Sequence, residues 1–123
     1  MEEKKLSKAG KLLEQLTAYN MNEMSTVCSR HDGYNVEIVV YSNDHIPAHA
    51  HINNLNHEEV CQVLIEDKIY NTFDDIHSYR SDITNELKKI IFDWCITIHK
   101  RYGILNFTRL LMAWNDQHPD DQI

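Results

Sequence analysis

Four of the eight histidines in the 123-residue chain, His45, His49, His51 and His57, fall in one short segment. The core of that segment is S-N-D-H-I-P-A-H-A-H-I, residues 42–52. Neutral imidazole is a ligand for divalent transition metals, and a carboxylate can complete the shell. Side chains two apart on a strand share a face. A strand over 48–52 therefore projects His49 and His51 together, and turns Ala48, Ala50 and Ile52 the other way. His45, in the preceding loop, folds back as the third ligand in this reading. The expected metal set is His45, His49 and His51, for zinc, nickel, manganese or iron. Asp44 is a further ligand or an outer group that fixes a histidine tautomer.

Three protein ligands leave a position for an activated water. In a catalytic reading Asp44 or His45 acts as base or ligand. Glu58 is the candidate proton shuttle. A turn centred on Asn54-Leu55 pairs Ile52 with His57 and His51 with Glu58, placing Glu58 beside His51. A slip of two residues keeps the faces but changes the partner. A purely structural reading stands beside these: the histidines hold the loop through hydrogen bonds and do no chemistry.

Several templates are excluded. H-E-x-x-H is absent, and no glycine-rich loop cradles a phosphate. Asn53 stands where a third alternating histidine would complete a histidine triad. A cupin needs its glutamate nearer the histidine pair. Ser42 and Ser81 lie on no nucleophile elbow. His77, His99 and His118 form no second motif. His99 falls near the end of an expected helix, and His118 in an expected tail.

The elements that must position these groups read as one domain over residues 1–123. Leu6, Ala9, Leu13 and Leu16 give a helical stripe over 3–20, suited to packing on the sheet or to self-association. The region 25–73 reads as strands: 25–30, 34–41, 48–52, 57–66 and a short one over 69–73. His31-Asp32-Gly33 is a turn with a glycine available for positive φ. From 81 the period becomes helical. One helix is expected over 82–102, capped by Ser81 or Asp82 and ended by Gly103. Another is expected over 106–116, capped by Asn106. Residues 117–123 are expected to fray. The fold class is α+β: an N-terminal helix, an antiparallel sheet of three to five strands and two C-terminal helices on one face, the other face partly open to water.

Composition narrows the setting. Hydrophobic residues make up 42% and charged residues 25%, with a net charge of −7. Such a chain is a poor broad binder of phosphate backbones. Cys28, Cys61 and Cys95 form no C-x-x-C and lie among apolar neighbours, as buried free thiols of a reducing compartment do. There is no apolar run long enough for a membrane span and no signal peptide, so a cytoplasmic location is expected.

The segment Y-S-N-D-H-x-P-x-H-x-H-I resembles the hallmark of a small bacterial family of unknown function. Its members carry D-H-x-P-P-H-F-H-V after a strand, then a hairpin and two helices. Asp44, His45, Pro47, His49 and His51 match, and Trp114-Asn115 is similar to the family's C-terminal W-N. Ala48 and Ala50 depart from the motif, replacing a proline and an aromatic residue. The resemblance implies a bacterial, plasmid or phage-borne protein with a protein partner or self-association, in a toxin–antitoxin-like or mobile-element module. The rival reading is a metal-dependent hydrolase acting on a phosphodiester.

Overall fold

The computed structural model describes residues 24–123. The helix expected over 3–20 lies outside the described residues. Four strands form one antiparallel sheet in sequence order: β1 (Met24–Cys28), β2 (Glu37–Tyr41), β3 (His49–Asn53) and β4 (Glu59–Leu64). Two helices follow, α1 (Asn85–Cys95) and α2 (Asn106–Gln117). The class is α+β. Among the described residues, no helix is long and apolar enough to cross a membrane.

Alternation divides the sheet. Ile38 and Val40 of β2, Ala50 and Ile52 of β3, and Cys61 and Val63 of β4 join one buried cluster. Ile91, Trp94 and Cys95 of α1 and Phe107, Leu110 and Trp114 of α2 belong to the same cluster. Burying such side chains contributes about 1.5–3 kcal/mol each for the larger ones, so this face fixes the register. His49 and His51 occupy the opposite face. That face is partly covered: Val39 and His49 are buried, His51 and Gln62 are half-buried and Glu59 is exposed.

Two bulges set side-chain direction. Thr26 pairs with Val39 and Cys28 with Ile38, so Val27 is the extra residue in β1. Ile52 pairs with Cys61 while Asn53 pairs with Glu59, so Val60 is the extra residue in β4. The second bulge matters for the site, as described below.

The β3–β4 hairpin differs from the tight turn expected at Asn54-Leu55. His51 pairs with Gln62, not with Glu58. The loop is longer because Asn54 organises it: its Oδ1 accepts from the amides of Asn56 and Glu58, at 2.9 and 3.0 Å. The Asn54 amide also donates to the Glu58 carbonyl at 2.8 Å, and His57 takes a positive φ of 67°.

No strand forms over 69–73. The partner of β4 comes later: the Leu64 amide donates to the His77 carbonyl at 2.9 Å, and the Tyr79 amide to the Gln62 carbonyl at 2.7 Å. A bridge joins Val63 and Ser78. The first long helix starts at Asn85 and is capped by Thr84, whose hydroxyl accepts from the Leu87 amide at 3.2 Å, not by Ser81 or Asp82. It ends at Cys95, well before Gly103. The β-branched run Ile96-Thr97-Ile98 is a poor helix continuation. The Thr97 hydroxyl takes the Asp93 carbonyl at 2.6 Å. Gly103 instead turns a small hairpin with φ 70°, in which the His99 amide donates to Ile104 and Ile98 bridges Leu105. The N-cap of α2 is Leu105, not Asn106. Nor does the C-terminus fray: the Trp114 indole donates to the Asp121 carbonyl at 2.9 Å, and Asn115 exchanges hydrogen bonds with Ile123 at 3.1 and 2.8 Å.

Candidate metal centre

The loop after β2 brings Asp44 over the start of β3. Its carboxylate Oδ2 lies 2.8 Å from His51 Nε2 and 3.5 Å from His49 Nε2. One ligand atom from each of Asp44, His49 and His51 falls within 4.8 Å of the others, so the three could hold a metal ion. Their side chains are 17%, 4% and 13% exposed, respectively. The cluster is thus shielded but not sealed.

The far nitrogens of both imidazoles are engaged. His49 Nδ1 lies 2.8 Å from the Pro47 carbonyl oxygen. A carbonyl can only accept, so Nδ1 carries the proton and the neutral ring presents an Nε2 lone pair toward Asp44. His51 Nδ1 lies 2.5 Å from Glu59 Oε1. Donation there leaves the Nε2 of a neutral His51 as a second lone pair aimed at Asp44. A lone pair 2.8 Å from a carboxylate oxygen repels it unless a proton or a cation lies between them. A metal ion satisfies all three atoms at once.

Ring packing fixes the two histidines further. His49 lies 4.6 Å from the Tyr79 ring and 5.9 Å from Trp114, centroid to centroid. The Tyr41 ring meets His51 edge-on at 4.8 Å. Asp44 is held from the other side: His118 Nε2 lies 3.0 Å from its main-chain carbonyl oxygen, and Nδ1 lies 2.9 Å from that of Trp114. The His118 ring lies flat on Trp114 at 3.5 Å.

Glu59 reaches His51 because of the bulge. Cys61 faces the core, and regular alternation would send Glu59 there too. The extra residue Val60 turns Glu59 onto the histidine face. Burial alone would raise the Glu59 carboxyl. Hydrogen bonds from His51 and from Gln62, with the nearby imidazoles, outweigh it and hold the group below its ordinary range.

The expected residues are distributed as follows. His49 and His51 converge, and Asp44 joins them. His45 is exposed on the loop and lies outside the cluster. Glu58 is spent in the hairpin, where its carboxylate accepts from the Asn54 side chain at 3.0 Å. His57 turns to Glu37 at 2.9 Å. Glu59, Tyr79 and His118 were not singled out by the sequence reading. A bulge and two tertiary contacts place them, and no local spacing signals those.

No family model matches the chain, and no curated protein or solved structure matches it. The functional reading therefore rests on the arrangement of the side chains.

Proposed function

We propose that this chain is a metal-binding domain in which Asp44, His49 and His51 hold one divalent transition metal. The observation that carries the reading is the double orientation of the imidazoles. Each turns one nitrogen to an acceptor, Pro47 or Glu59, and the other to a single carboxylate oxygen. Carboxylate–histidine–metal sites use this outer arrangement to fix the tautomer and raise ligand basicity. Two nitrogens and an oxygen suit zinc, nickel or iron better than manganese. The family resemblance supports the same place, because Asp44, His49 and His51 all lie within its motif.

The metal ties three parts of the chain together: the 42–47 loop, strand β3 and, through Asp44 and His118, the C-terminus. In the setting implied by the resemblance, it would stabilise an interaction component of a toxin–antitoxin-like or mobile-element module. Exposed Met24, Tyr102 and Met112 favour such a role, and Tyr102 and Met112 border a groove of about 420 Å³. A second use follows from the ligand count. Three protein ligands leave room for a bound water, as a metal-assisted phosphodiester hydrolase requires.

Metal analysis of untagged protein, with hydrolysis of bis(p-nitrophenyl) phosphate measured on the same sample, tests both. Bound metal without turnover supports the stabilising role, and bound metal with turnover lost in His51→Ala supports the hydrolase. Protein that takes up no zinc, nickel or iron refutes the metal reading itself.

A further inference from the structure

The end of β2 remote from Asp44 carries a second place with chemistry. The turn over 29–34 and the hairpin over 97–106 enclose a cavity of about 340 Å³. His31, His99, Lys100 and Arg101 line it, with buried Trp94 and Asn106 as further walls. The chain carries a net charge of −7, so two full cations and two imidazoles in one cavity run against its overall sign. Among the described residues, Asp32 is the one carboxylate in the lining. It is committed to its own turn, accepting from the Ser29 amide at 2.7 Å and from the Ser29 hydroxyl. Among the described residues, neither Lys100 nor Arg101 lies within ion-pair distance of a carboxylate.

One donor is set in advance. His99 Nδ1 accepts the Arg101 amide at 3.1 Å, so its Nε2 carries the proton in the neutral ring. Stacking on Tyr102 at 4.8 Å and 27° holds that ring in place. Tyr102 is itself more than half exposed, and the Arg101 and Arg109 guanidinium groups approach its ring at 5.8 and 5.3 Å. Guanidinium forks and imidazole N–H groups suit phosphate oxygens. An exposed aromatic ring flanked by arginines suits a flat base. The cavity volume is within the range of small-ligand sites.

We infer that this cavity binds the phosphate of a nucleotide-sized ligand on Lys100, Arg101 and His99, and that the attached base reaches past His99 to Tyr102, which borders the neighbouring groove. The ligand is a free nucleotide or one unit of a single strand. The site stands apart from the metal centre and does not depend on it.

Titration of isotope-labelled protein with adenosine 5′-monophosphate, followed by amide resonances, tests the inference. Resonances of 31–34 and 99–102 move first, and added salt weakens the binding. The double variant Lys100→Ala/Arg101→Ala, at exposed positions, weakens it by about tenfold or more, equivalent to at least about 1.4 kcal/mol. Tyr102→Ala weakens the nucleotide but leaves inorganic phosphate unchanged. A short single-stranded oligonucleotide that binds more tightly at the same resonances identifies a strand as the source. If those resonances stay fixed up to about 10 mM nucleotide, a millimolar site being the weakest of interest, the inference is overturned. It is equally overturned if the double variant binds as tightly as the parent.

Discussion

His51 and Glu59 meet at 2.5 Å across a bulged strand pair, although regular alternation would set them on opposite faces. Glu59 lies outside the Asp44–His49–His51 cluster. In the proposed site it orients His51 through Nδ1. Glu59→Gln is therefore predicted to bind zinc about 10–100-fold more weakly while folding normally, the range for loss of an outer carboxylate. Glu58→Gln, one residue away, is predicted to leave affinity unchanged. Competition against a chromophoric chelator measures both.

Metal binding is predicted to stabilise the fold. At about one hundred times Kd, a ligand specific for the native state adds about 2.7 kcal/mol. For a domain of this size that is a rise of several degrees or more in Tm. Differential scanning calorimetry with and without zinc gives the value. Asp44→Ala should abolish the rise, and His45→Ala should retain it, because His45 stands outside the cluster.

His118 couples the C-terminus to the site. Its ring bonds to the Asp44 carbonyl and lies on Trp114, and it is only 6% exposed. His118→Ala removes a buried hydrogen bond and a stacking partner. The predicted cost is about 1–3 kcal/mol of stability. A several-fold loss of zinc affinity should accompany it, because the Asp44 loop is released. Urea unfolding at equilibrium reads the first effect and chelator competition the second.

The three thiols are predicted to be inert in the native state. Burial, with the Asp32 charge, pushes Cys28 up to about 12 from an ordinary 9.0. Burial, with Glu59, takes Cys61 to about 11. Burial, with Cys28, takes Cys95 to about 12. Folded values above unfolded ones mean stability that is complete below about pH 9 and declines as pH rises toward 11–12. Iodoacetamide at pH 8 should modify none of the three in folded protein and all three in urea, as read by mass spectrometry.

The paired faces of β3 were legible in the sequence, because a period of two does not depend on what packs around it. The alternation of Ala50 and Ile52 against His49 and His51 was enough to place the imidazoles together. Asp44 was legible as a residue of the right type beside them. The identity of the third group was not, since a loop can present either of two neighbouring side chains, and the turn presents Asp44 and not His45. Glu59 was hidden for another reason. A bulge at Val60 has no marker in composition, and the Asn54 loop that shifts the register uses side-chain hydrogen bonds that a two-residue turn would not need. The length of α1 was overread because Ile96 and Ile98 continue the apolar pattern, while the Thr97 hydroxyl interrupts the ladder.

X-ray absorption at the zinc edge of loaded protein tests the central claim most directly. The account predicts a first shell with two imidazole nitrogens and a carboxylate oxygen at about 2.0–2.2 Å, and no sulfur. His49→Ala and His51→Ala should each lose one imidazole signature or the metal altogether. A sulfur-containing shell, a shell without imidazole, or protein that retains no zinc would contradict it.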